Sequence, residues 1–265
     1  MLAEVVWKAS PRVGKGAIAG LAVIALLAVW FSEPLAQDPA YHGFADRRSW
    51  RGIPHAGDVL SNLPFLLIGS WALWRLKSGA MVLENRMHAV AVAGFFGGVF
   101  AIGLGSAWYH WRPTTETLLW DRLPMAVAFM SMFSAVLGER WGPRHYGWSL
   151  ACFPWLGLVS VGYWSWTESM GRGDLRFYAL VQYLPMAILP ILLWAWPARF
   201  SHGAAYLALL LLYGAAKGCE VADAWFFEQS GWISGHSLKH LLAAAAAALY
   251  GWMLERRHRL VLGKA

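Results

Sequence analysis

Three histidines, a serine and a few carboxylates are the residues of this chain whose types and spacing can do chemistry. His236 and His240, in Gly-His-Ser-Leu-Lys-His-Leu at 235–241, stand four apart, which puts both imidazoles on one helix face, one turn apart. Such a pair suits two ligands of one metal, and equally suits interfacial or hydrogen-bonded packing residues. His110 closes Gly-Ser-Ala-Trp-Tyr-His at 105–110. With it the pair becomes a three-imidazole set of the kind that leaves a fourth zinc position open. Zinc (Zn2+) in a partly dry site lowers the pKa of water towards about 7 and polarises a carbonyl, so amide or ester hydrolysis further needs only a base and a stabilised oxyanion. Asp121, in Trp-Asp-Arg-Leu-Pro-Met at 120–125, is placed to be that base. Its alternatives are a partner for Arg122 or an acceptor that orients a ligand histidine. Ser106, one turn before His110, can aim its hydroxyl at the reacting oxygens, or is a small residue for close helix packing beside Gly103 and Gly105. A serine nucleophile fits less well, because Ser106 has no Gly-x-Ser-x-Gly elbow and its nearest base, His110, is already a ligand candidate.

Supporting positions follow from cost. Glu220 and Asp223, three apart near the end of an apolar run, are expensive in a membrane helix and should face the bundle interior. They can orient His236 or His240, or pair with Lys217 or Lys239, and the structural role is preferred. Asp58 and Asn62, four apart on one helix face, read as capping and interhelical hydrogen-bonding residues.

The elements that must position these residues are membrane helices. The chain has 265 residues, 58% hydrophobic and only 14% charged, which excludes an ordinary soluble domain. Apolar runs of about 20 residues, the length that spans a bilayer, occur at 16–32, 57–74, 87–108, 118–138, 148–166, 177–197, 204–225 and 235–254. Short turns such as Gly142-Pro143 and Gly171-Arg172-Gly173 join most of them, and 33–56 is the one long loop. The eighteen tryptophans suit the headgroup boundary. The net charge of +7 is scattered between apolar segments and forms no nucleic-acid stripe. Cys152 and Cys219 lack metal-type spacing and read as reduced packing residues. The first run, preceded by Lys8, Arg12 and Lys15, also resembles a signal peptide, but its long apolar core and poor cleavage residues favour retention.

Orientation follows from the excess of Lys and Arg on cytoplasmic connections. With the N-terminus inside, thirteen of these residues fall on inner segments and six on outer ones, while Arg122, Lys217 and Lys239 lie within helices. Both termini are then cytoplasmic. Ser106, His110, Asp121, Glu220, Asp223, His236, His240, Asp58 and Asn62 all come to the outer end of their helices. Five helices delivering polar residues to one level point to one site facing the outer leaflet.

The three blocks at 105–110, 120–125 and 235–241, with Ser61-Asn62, resemble in order and spacing the signature blocks of the alkaline ceramidases, in the superfamily with adiponectin-receptor and haemolysin III-like proteins. The similarity covers about residues 41–255. It implies an all-α, seven-helix catalytic domain at 41–255, preceded by an N-terminal tail and an additional helix at 1–40 and followed by a basic tail at 256–265. It further implies a zinc amidase that cuts ceramide-like N-acyl membrane lipids to a sphingoid base and a fatty acid. His110, His236 and His240 would be the ligands, Asp121 the base and Ser106 the stabiliser of the oxyanion or activated water. The animal enzymes also carry an acidic calcium (Ca2+) site, whose glutamate is replaced here by His55; Asp46 and Asp58 remain, but the missing cluster argues against calcium. The alternative class is a receptor-like module of the same superfamily that uses its metal structurally; an open fourth position beside a lipid-sized cavity distinguishes the enzyme from it. A transporter fits poorly, since no inverted repeat or pair of broken helices is evident.

Overall fold

A computed structural model describes residues 10–260, which are helical apart from turns, loops and two isolated β-bridges. The tail residues 1–9 and 261–265, with Lys8 and Lys264, lie outside the described residues. The helices are α1 (Pro11–Phe31), α2 (Ala56–Leu60), α3 (Leu63–Lys77), α4 (Arg86–Trp111), α5 (Thr115–Trp141), α6 (Tyr146–Ser169), α7 (Arg176–Ala195), α8 (Ala204–Val221), α9 (Asp223–Ser230) and α10 (Gly235–Arg256). Each apolar run of the sequence coincides with one of them or with a consecutive pair.

Among the described residues five segments are long and apolar enough to cross a membrane: α1, the α2–α3 pair, α4, α7 and α8. Their outward faces expose side chains that a water-soluble protein would bury, among them Leu67, Leu104, Leu207 and Leu211. Eight exposed tryptophans sit towards the helix ends in two groups, Trp108, Trp111, Trp120 and Trp166 at one end and Trp74, Trp148, Trp194 and Trp252 at the other, while the exposed Trp155 lies in the middle of α6. This is how indoles distribute at the two boundaries of a bilayer.

Two runs expected to be continuous are broken. The 57–74 run divides at Ser61-Asn62 because Pro64 has no N–H to donate and restricts the residue before it. The 204–225 run divides at Ala222, after which Asp223 opens α9. Cys152 is free and exposed on α6, so it is not the packing residue expected; Cys219 is free and half-buried.

The central contact is α4 against α5. Gly94, Gly98 and Gly105 lie on one face of α4, where a Cβ would come within 2.6 Å of Ser131, 2.8 Å of Ala128 and 2.0 Å of the Trp120 carbonyl oxygen. Gly103 does the same for α3, where a Cβ would meet Leu66 at 2.6 Å. Small residues at these positions let backbones approach closely, as apolar helices require when they associate in lipid. Helix starts are set by side chains: Asn85 caps α4, Thr114 and Thr117 form a capping box on α5, and Ser234 caps α10. α1 packs only at the edge of the bundle, mainly on α7, where Gly14 lies against Ala195 and Trp196.

A second buried polar cluster lies at the far end of α4, 22 residues or about 33 Å along the helix from His110. There Glu139 of α5 accepts hydrogen bonds from Tyr206 at 2.8 Å and from Arg257, with His88 at 3.3 Å. It ties the starts of α4 and α8 to the ends of α5 and α10. The α4–α5 contact makes a graded prediction: Gly105→Ala destabilises the fold by about 3 kcal/mol through overpacking. Gly97→Ala, on the same helix with nothing within 4 Å of the new Cβ, changes it little; thermal unfolding of the two purified variants checks this.

Candidate metal centre

The three imidazoles meet where α4 ends and α10 begins. Their donor nitrogens lie within 4.8 Å of one another, and all three residues are buried. His110 and His236 face each other Nε2 to Nε2 at 3.2 Å. Two nitrogens of one tetrahedral zinc, each about 2.0–2.1 Å from the ion, stand about 3.3 Å apart, so this edge has the length that a shared ion needs. The Ser61 hydroxyl lies 2.8 Å from His240 Nδ1, which leaves Nε2 for the common centre. His110 Nδ1 is buried without a partner. Among the described residues no aspartate, glutamate or cysteine joins the three as a fourth ligand. The arrangement can hold a metal ion.

The neighbouring residues explain why the histidines converge. Ser234 accepts from the Ser237 backbone N–H at 2.9 Å, and both serine hydroxyls donate to Asp58 Oδ1, at 2.8 and 2.7 Å. Asp58 thus pins the first turn of α10 to α2 and serves as the interhelical hydrogen-bonding residue expected. Its partner Asn62 donates to the Asp58 carbonyl at 2.7 Å, while Asn62 Oδ1 stays buried and unpaired. Asp223 orients no imidazole. Its two oxygens accept from the backbone N–H groups of His236 at 2.8 Å and Ala45 at 2.9 Å, joining α10 to the 33–56 loop.

That loop covers the histidines. The Phe44 ring centre lies 4.5 Å from that of His110 and 4.6 Å from that of His236. Arg48 anchors the loop, donating to Asp46 and to the carbonyls of Gly231 and Trp232 at 3.1 and 2.7 Å. Burial pushes the Asp46 carboxyl up, but the bonds from Arg48 outweigh it and hold the group below the usual carboxylate range. His55, in a left-handed conformation, directs Nδ1 to the Asp46 carbonyl oxygen at 3.2 Å. Asp46 therefore commits its carboxylate to Arg48, and Asp58 commits Oδ1 to two serines.

Ser106 of α4 and Asp121 of α5 are both buried beside the α4–α5 contact. Among the described residues Asp121 forms no ion pair with Arg122 and no hydrogen bond to a histidine. The close-packing duty falls on Gly105 and Gly103. Ser106, Asp121 and His240 line a cavity of about 320 Å³ that continues between α4, α5, α7, α8 and α10 over Phe95, Val99, Met125 and Leu189. At its polar end Glu220 takes Lys217 at 2.5 Å and Lys239 at 3.0 Å, the structural role expected of it. Lys239 Nζ also lies 2.9 Å from His236 Nε2. A metal at the centre requires the ammonium to give up that nitrogen, and Glu220 remains as its partner.

The sequence marks out the three histidines but not Ser61 or Phe44. Ser61 stands in the Ser-Asn pair quoted above, where only the asparagine has helical spacing to another candidate. Phe44 carries no local signal, since its contact with the histidines is made by the path of a loop. No family model, curated protein or solved structure matches this chain.

Because Ser61 fixes which His240 nitrogen faces the centre, Ser61→Ala weakens divalent-metal affinity about tenfold or more. Competition against a chromophoric chelator measures it; an unchanged affinity would remove Ser61 from the site.

Proposed function

We propose that this protein is a zinc-dependent intramembrane hydrolase that cleaves the amide bond of ceramide-like N-acyl lipids, releasing a fatty acid and a sphingoid base or other amine. The observation that carries the reading is the set of three buried histidines with no fourth protein ligand, beside a serine, an aspartate and a long apolar cavity. A closed structural site would spend its fourth position on a side chain. The resemblance of the three sequence blocks to the alkaline ceramidases supports the same chemistry, as does the fit of the 3.2 Å nitrogen edge to one small ion. In this reading α2 to α10 make the seven-helix catalytic unit, with α2–α3 and α8–α9 each counting as one helix, and α1 is an addition. The Lys and Arg distribution places both termini in the cytoplasm and the histidines towards the outer leaflet.

His110, His236 and His240 would hold the zinc ion, which would supply Lewis acidity for a water and for the amide carbonyl. The chain's residues do the rest. Asp121, at the cavity wall, accepts a proton from the attacking water and can return it to the leaving nitrogen. Ser106, which lines the same cavity, has a hydroxyl to turn towards oxygen as negative charge develops. Phe44 covers the histidines and limits bulk water, which strengthens every electrostatic interaction beneath it. The apolar cavity takes the acyl chain and so orients the amide near the histidines.

Purified protein should contain about one zinc per chain, the number a single catalytic site requires, and His110→Ala should lose it. Asp121→Asn should keep the zinc while lowering fatty-acid release from ceramides about 10²–10⁴-fold, the range for loss of a general base. Zinc-loaded protein that is inert towards ceramides and other N-acyl lipids would overturn the amidase reading.

A further inference from the structure

Arg122 follows Asp121 on α5 and is only 7% exposed, yet among the described residues no carboxylate lies within 4.0 Å of it. A guanidinium cannot shed its proton in a protein, so burial without a counter-ion leaves a fixed positive charge in a poor solvent. Three rings offset part of that cost. The guanidinium carbon lies 4.2 Å from the ring centre of Trp164, 5.1 Å from Tyr178 and 5.7 Å from Tyr41. Gln37 Oε1 accepts from Nη2 at 2.6 Å, and Gln37 is itself held by Glu168, which accepts from its backbone N–H at 2.7 Å. Nη1 is buried with no partner at all.

This unpaired donor belongs to a residue of the cavity wall, at the end that also carries Asp121, Glu220, Lys217 and Lys239. Three cations there face two carboxylates, and Glu220 is shared by both lysines. Four elements build the cage: α5, α6, α7 and the 33–56 loop, which supplies Gln37 and Tyr41. Its geometry differs from that of a surface arginine, because aromatic faces hold the guanidinium while part of its planar fork is left for an acceptor.

We propose that Arg122 recognises an oxyanion carried on an aliphatic chain, a carboxylate or phosphate seated at the polar end of the cavity beside Asp121. The inference rests on the lipid-hydrolase reading for the chain, though not on turnover. The anion has two possible sources with the same chemistry: the carboxylate left when an amide is hydrolysed, and an acidic headgroup on the intact lipid. In either case the supply of charge is matched to a cation that the fold leaves unneutralised.

The test is equilibrium binding to the full-length protein in nanodiscs of neutral lipid, followed by intrinsic tryptophan fluorescence, with palmitate, hexadecanol, N-palmitoylglycine and neutral N-palmitoylethanolamine as probes. Wild type should bind the acids about tenfold more tightly than their neutral counterparts, as one charge-assisted hydrogen bond provides, and Arg122→Gln should bring the ratio to about one. Palmitate preferred over N-palmitoylglycine identifies the product carboxylate as the ligand; the reverse order identifies an acidic headgroup. Equal affinity of wild type for acid and neutral probes overturns the proposal. So does an acid preference that survives Arg122→Gln but disappears in His110→Ala, since the histidine site would then be receiving the anion. If Arg122→Gln is not recovered folded, Arg122→Lys takes its place: a reduced acid preference supports the forked contact and an unchanged one overturns it. No turnover enters these measurements, so failure here leaves amide hydrolysis standing, and absence of hydrolysis leaves the binding result standing.

Discussion

Three imidazoles buried at one point cannot satisfy one another. Each neutral ring has one donor and one acceptor nitrogen, and where His110 and His236 meet Nε2 to Nε2 only one of the two can carry the proton. Buried polar atoms of this kind need a partner or they cost stability. The surrounding residues hold the rings in place all the same: Ser61 fixes His240, Asp58 and Asp223 fix the turn that carries His236, and Phe44 closes the top. A centre in which three ring nitrogens are held together in this way can take a metal ion.

Much of the centre was legible from the sequence because its signals are periodic or topological. The four-residue spacing of His236 and His240 fixes a shared face, and the Lys and Arg distribution brings the end of α4 and the start of α10 to one level. The pairing of Glu220 with Lys217 follows from helix spacing in the same way, while Lys239 reaches it from the neighbouring α10. What was not legible depends on contacts distant in the chain. Arg122 is one residue past Asp121 and reads as its neighbour or partner, yet its surroundings come from Gln37, Tyr41, Trp164 and Tyr178. No periodicity in α5 reports them. The interruption after α2 has a local cause in Pro64, but in a plain hydropathy reading Asn62 and Pro64 are only two weak positions inside a long apolar run.

The two ends of the bundle solve the same problem differently. At the far end the Glu139 carboxylate is saturated by Arg257, Tyr206 and the nearby His88, so positive and negative groups are matched side by side. At the histidine end cations exceed carboxylates along the cavity wall. Buried polar atoms stay unpaired at both ends, Asp58 Oδ2, His110 Nδ1 and Arg122 Nη1 at this one and His88 Nε2, Tyr250 Oη and Arg257 Nη2 at the other, so the contrast is one of local charge balance.

Asp223 joins these features mechanically. One oxygen holds the backbone of Ala45 and the other that of His236, so a single carboxylate fastens the loop to the first turn of α10. The loop carries Phe44 over the histidines, and the stretch just before it carries Gln37 and Tyr41 against Arg122. The three histidines and the guanidinium cage therefore do not have independent freedom of movement. Opening a path past the loop and loosening the histidine turn are displacements of one coupled body, with Asp223 as the rivet between them.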